Sequence, residues 1–97
     1  MRKFPLILKK LDMKRFVDRI IVFIAVIAPL TTIPQVLKIY LEKQVAGLSL
    51  ETWLMYTVFN IIWVAYGIFH REKPIIISSV LWFTVDLLVA VGILVYS

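Results

Sequence analysis

Three long stretches of the chain carry almost no charge, and they limit the folds open to it. Residues 20–37 and 52–69 contain no Asp, Glu, Lys or Arg, and residues 74–97 contain a single charged residue, Asp86. Roughly 20 mostly apolar helical residues are needed to cross the hydrocarbon core of a bilayer, which is about 30 Å thick. None of the stretches has the polar face of a helix on the surface of a soluble protein. The sequence therefore predicts an all-α membrane protein with three transmembrane helices.

The composition and the connecting segments agree with three spans. Of the 97 residues, 62% are hydrophobic and 18% are charged, whereas in soluble domains about half are apolar and about a quarter are charged. Between the first two spans Gly47 can end one helix and Ser49 can cap the next. Between the last two, a charged turn at residues 70–73 precedes Pro74, which suits a first helical turn. We expect one transmembrane domain over residues 19–97.

Residues 1–18 differ from the rest because basic and apolar side chains alternate along them. The basic ones are Arg2, Lys3, Lys9, Lys10, Lys14 and Arg15. We predict a basic amphipathic N-terminal segment lying among the lipid headgroups. A disordered tail and a signal peptide are the alternatives. The net charge of +5 is largely due to this segment, so we assign it to the lipid bilayer and predict no nucleic-acid partner.

The same charges predict an orientation. With three crossings, residues 1–18 and Arg19 share one side of the membrane with Arg71 and Lys73, and only Lys38 and Lys43 lie on the other. By the positive-inside rule the N-terminus is cytoplasmic.

Two prolines interrupt the first span. Pro29 and Pro34 each remove the amide hydrogen that would bond to a carbonyl one turn earlier, and in lipid an unsatisfied carbonyl costs several kcal/mol. Thr31, Thr32 and Gln35 are nearby polar groups that can compensate. Prolines that simply kink a membrane helix are common, but two prolines beside a glutamine and threonines favour a hinge along a polar cavity. We predict that Pro34, Gln35 and Pro29 form it.

On the second span, Tyr56, Asn60, Trp63, Gly67 and His70 recur at spacings of four and three and so share one helical face. Tyr, Asn and His are poorly suited to lipid tails, so this face is expected to line the bundle interior. Trp63 lies near mid-span, and a flat indole there suits the apolar face of a sugar ring. Aromatic residues that belong to the interface belt or only fill the core are the alternative.

On the third span, Asp86 shares a face with Ser79 and with either Trp82 or Phe83. An unpaired charge at mid-membrane costs at least about 2.5 kcal/mol and usually marks a pathway. Asp86 is therefore either protonated or bonded to a polar partner, and a purely structural carboxyl is the alternative. The candidate substrate-binding residues are Trp63, Ser79, Asn60 and Asp86.

The sequence lacks the residue patterns that metal binding and catalysis require. The chain has one histidine, no cysteine and one carboxylate within its spans, so a metal site inside one chain is not expected. No nucleophile motif and no Gly-rich phosphate loop occurs. We predict no catalytic residues, no enzymatic activity and no cofactor.

The segments TTIPQVLKIY, GLSLETWLMY and WVAYGIFHREKPIII resemble the PQ-loop superfamily. The length and the three-helix layout resemble its half-size members, the SemiSWEET sugar transporters, over about residues 28–94. The resemblance implies a triple-helix bundle that forms a parallel homodimer around a central pathway. It implies alternating-access transport of a mono- or disaccharide. Helices packed roughly 8–10 Å apart leave no room for a solute inside one bundle, which also favours a homodimer.

Individual positions of that family pattern can be compared. Trp63 matches the family's pocket tryptophan, Ser79 stands where a pocket asparagine is usual, and Asp86 stands where the residue is usually uncharged. Tyr66, His70 and Glu72 match a Tyr, Arg and Asp gate, with His in place of Arg. The family pattern also implies an outward N-terminus, opposite to the charge rule. These departures keep two alternatives open: a proton-linked carrier of a non-sugar solute such as an amino acid, and a pore-forming or partner membrane oligomer that does not transport.

Overall fold

The computed structural model describes residues 3–97, with side chains from Pro5 onward, and this part of the chain forms four α-helices. They are α1 (Lys3–Leu30), α2 (Ile33–Glu42), α3 (Leu50–Phe69) and α4 (Lys73–Tyr96). Three segments are long and apolar enough to cross a membrane: α1 with α2, α3, and α4. The predicted all-α protein with three transmembrane helices is confirmed.

Local signals in the sequence set the ends of these helices. The Ser49 hydroxyl accepts a hydrogen bond from the Thr52 amide at 3.3 Å and caps α3, and Pro74 lies in the first turn of α4. Gly47 does not end α2. The C-terminal cap of α2 is instead Lys43, in a left-handed conformation. Gly47 lies in the turn that follows and has a φ of +79°. A residue with a β-carbon is strained in that conformation.

The last helix in the chain is the central one in space. All the extensive helix contacts in the described chain involve α4, which packs against α1, α2 and α3. The buried core lies at the end of the bundle near residues 43–49 and is built on Ile39 of α2 with Val89 and Ile93 of α4. The Tyr40 hydroxyl donates to the Leu88 carbonyl at 2.7 Å and holds α2 against α4.

The N-terminal part of α1 extends beyond the bundle. Every side chain from Pro5 to Ile24 is exposed, and Ala25 is the first buried one. The helix passes through residues 18 and 19 without interruption, so the boundary between a basic segment and the transmembrane domain stays a prediction. Met1, Arg2 and the side chains of Lys3 and Phe4, which belong to that segment, lie outside the described residues.

Candidate functional site

Two partly open cavities lie one beyond the other along the bundle, with volumes of about 420 and 360 Å³. The first, here the turn cavity, is nearer the 70–73 turn and is lined by Ile21, Ile24, Ala25, Ala28, Asn60, Trp63, Pro74, Ile75, Ser78, Ser79 and Trp82. The second, here the loop cavity, is nearer residues 43–49 and is lined by Trp53, Tyr56, Phe59, Asn60, Trp63, Trp82 and Asp86. Asn60, Trp63 and Trp82 line both, so the cavities meet at these three side chains near the middle of α3 and α4.

All four residues predicted to bind substrate line one or both cavities. Asn60 and Trp63 come from α3, and Ser79 and Asp86 come from α4, which is the helix pair with the most extensive contact. Ser79 and Asp86 are buried, whereas Trp63 is 52% exposed and lines both cavities. The geometry therefore brings the four together at mid-depth.

A hydrogen bond links two of these residues, Asn60 and Asp86. The Asn60 amide nitrogen donates to Asp86 Oδ2 at 2.7 Å and also to the Tyr56 carbonyl of its own helix at 2.9 Å. Of the two options predicted for Asp86, the structure gives it a polar partner, Asn60. The other oxygen, Oδ1, is buried and has no hydrogen-bond partner within the described residues.

The sequence does not distinguish Trp82 from Phe83 as the aromatic residue of the predicted α4 face. Trp82 and Phe83 both fit the spacing that joins Ser79 to Asp86, and the structure places Trp82 in both cavities. Trp53 and Phe59, which also line the loop cavity, were not predicted. Nothing in the periodicity distinguished them from residues that face lipid.

Aromatic rings follow the exposed side of α3 toward the predicted gate. Trp63 and Tyr66 pack edge to face with ring centroids 5.7 Å apart, and the Tyr66 and His70 centroids are 4.3 Å apart. Glu72 lies two residues beyond His70 as the N-cap of α4. Tyr66 and His70 are thus in contact at the turn end, and Glu72 is close to them along the chain.

The glycine of the predicted α3 face lies in the contact between two helices. Gly67 is buried against α4, where an added β-carbon would lie 2.8 Å from Ile76 Cγ1. Tyr56 and Trp63 are exposed and line the loop cavity, and His70 is exposed at the end of α3. The predicted face therefore contributes both to the cavities and to the contact between α3 and α4.

The predicted hinge residues surround a real break in the first span. The helix is interrupted at Thr31 and Thr32, between Pro29 and Pro34. The Thr31 hydroxyl donates to the Ala28 carbonyl at 2.5 Å, so one threonine supplies a local hydrogen bond at the interruption. Pro29 is fully buried, Gln35 is half-buried, and Pro34 is exposed in the first turn of α2.

Comparison with known proteins gives the family. The PQ loop repeat model matches residues 20–76. The Sugar transporter SemiSWEET of Vibrio sp. (strain N418) is 33% identical over 82 residues, which cover 82% of this chain and 84% of that protein. The Sugar transporter SemiSWEET of Leptospira biflexa is 36% identical over 58 residues, covering 57% of this chain and 68% of that protein. The resemblance noted in the sequence is confirmed. The chain is a multi-pass integral membrane protein and belongs to the PQ-loop family, among its SemiSWEET members.

Proposed function

We propose that the chain is a transporter that moves a small neutral solute, a mono- or disaccharide, across the membrane by alternating access as a homodimer. The observation that carries this proposal is the pair of cavities that meet at Asn60, Trp63 and Trp82 near the middle of the membrane. A solute bound there lies between the two ends of the bundle, as alternating access requires. Both similar proteins are named as sugar transporters, which supports a sugar as the solute.

The shape of one chain supports the homodimer. Both cavities are lined by residues of a single chain and are only partly enclosed by it. A second copy related by a two-fold axis along the membrane normal closes them and contributes a second set of the same residues.

Each group of residues has a role in this mechanism. Trp63 stacks on the sugar ring, and Asn60, Ser79 and Asp86 provide polar contacts. The break between Pro29 and Pro34 lets α1 move relative to α2, which stays attached to α4 through Tyr40. Tyr66, His70 and Glu72 close the turn end.

The experiment is counterflow of labelled glucose and sucrose in liposomes that contain the purified chain. We expect saturable exchange in the wild type and a loss of at least about tenfold in Trp63→Ala, because aromatic truncation removes a large contact area. Phe69→Ala is the matched control, since Phe69 is 86% exposed and lines neither cavity. Equal rates for Trp63→Ala and the control would refute the site, and unsaturable ion leakage would point to a pore.

Asp86 supports a second candidate, a proton-linked carrier of a non-sugar solute. A carboxyl buried to 2% exposure at mid-span is a group that can carry a proton across. This candidate predicts exchange of amino acids but not of sugars. It also predicts solute-driven proton uptake, measured with a pH-sensitive dye inside the liposomes, and loss of that uptake in Asp86→Asn.

A further inference from the structure

One feature of the site is costly if the solute is neutral. Asp86 is 2% exposed, and its Oδ1 is buried with no hydrogen-bond partner in the described part of the chain. A carboxylate at mid-membrane is costly unless it is compensated. A neutral sugar offers hydroxyl donors but no positive charge, so it leaves the charge of an ionised Asp86 uncompensated.

The Asn60 side chain gives the Asp86 carboxylate only one hydrogen bond. An asparagine side chain has two amide hydrogens, and Asn60 uses its nitrogen for both the Tyr56 carbonyl and Asp86 Oδ2. The atoms of this pair that make no hydrogen bond within the described residues are Asn60 Oδ1 and Asp86 Oδ1. Both are hydrogen-bond acceptors when the carboxyl is ionised, so the pair suits a ligand that carries several N–H donors.

The cavity walls provide no positive charge for Asp86. Among the side chains described from Pro5 onward, the linings of both cavities contain no Lys, Arg or His. The walls instead carry the rings of Trp53, Tyr56, Phe59, Trp63 and Trp82. Aromatic faces attract ammonium groups, most strongly when water is excluded. A positive counter-charge for an ionised Asp86 can therefore be supplied by a bound solute.

We propose that the preferred solute is a sugar that carries a protonated amino group. Its ring stacks on Trp63, and its ammonium group binds in the loop cavity beside Asp86, Asn60 and the indole of Trp82. This inference rests on the proposed function, because it assumes that the cavities bind a sugar, and it specifies the class of sugar.

The test is counterflow at neutral pH in liposomes that contain the full chain, with glucosamine, N-acetylglucosamine and glucose as solutes. N-acetylglucosamine keeps the ring and the nitrogen but has an uncharged amide. We expect the wild type to prefer glucosamine over N-acetylglucosamine by roughly 10- to 100-fold in apparent affinity, the range of a hydrogen bond to a charged group. Asp86→Asn is expected to lose this preference. Glu42→Gln is expected to keep it, since Glu42 is an exposed carboxylate at the end of α2.

The outcomes separate the two proposals. Saturable glucose exchange without any preference for the amine, or a preference that Asp86→Asn retains, overturns the amino-sugar inference and leaves the sugar transporter standing. Absence of exchange for all three sugars overturns both. If Asp86→Asn does not fold, titration of the wild type followed by tryptophan fluorescence makes the same comparison, because Trp63 and Trp82 line the cavities. Equal affinities for glucosamine and N-acetylglucosamine then overturn the inference.

Discussion

At the scale of single residues, Gly92 determines how closely α2 approaches α4. A β-carbon added there would overlap the Ile39 side chain, and Ile39 is fully buried in the core. We expect Gly92→Ala to destabilise the protein by about 1–3 kcal/mol, the usual cost of overpacking a core. Thermal unfolding of the purified protein in detergent measures this. Val91→Ala, at an exposed position one residue earlier, is the control, and an equal melting temperature for the two variants would contradict the expected packing.

Residue types predicted the site better than residue spacing did. Asp86 and Asn60 were identified because polar groups in lipid need partners, and they are in fact bonded to each other. Trp82 and Phe83 could not be separated, because adjacent residues both lie within one helical turn of Ser79 and Asp86. Gly67 belongs to the face predicted to line the bundle interior, and its lack of a side chain allows the contact with α4.

At the scale of helices, the break in the first span gives a prediction for Pro34. Alanine there restores an amide hydrogen that can bond to the Leu30 carbonyl and so favours one continuous helix from α1 into α2. We expect Pro34→Ala to slow sugar exchange several-fold while solute binding, measured by tryptophan fluorescence, stays unchanged. Pro5→Ala is the control, because Pro5 lies in the exposed N-terminal part of α1. Exchange at the wild-type rate in Pro34→Ala would remove the hinge from the mechanism.

The spans themselves were predictable, but their arrangement was not. Charge-free stretches show which residues cross the membrane. The three spans are apolar over most of their surfaces, so the few polar side chains do not indicate which helix each face contacts. Small residues allow helices to approach closely, and the spans contain Gly67, Ala65, Ala90 and Gly92. Gly67, Ala90 and Gly92 are buried, whereas Ala65 is exposed. The central position of α4 depends on such close contacts and follows only from the three-dimensional structure.

At the scale of the whole molecule, the open cavities predict which surface meets the second copy. The chain contains no cysteine, so single cysteines can be introduced without background reaction. We expect a bifunctional thiol reagent to link Tyr66→Cys into dimers in membranes, because Tyr66 lies on the cavity side. Val58→Cys, which is 53% exposed on another side of α3, is expected to remain monomeric after the same treatment. Similar yields at both positions would argue against a dimer that closes the cavities.

The central position of α4 also has a consequence for biosynthesis. Translation produces α1, α2 and α3 before α4, yet α4 is the helix that all three contact extensively. The first two spans therefore enter the membrane without the partner they pack on, and Asn60 enters without Asp86. The bundle can assemble only after α4 has inserted and contacts the earlier helices. Before that stage, the polar side chains of the nascent chain face lipid, water or the insertion machinery.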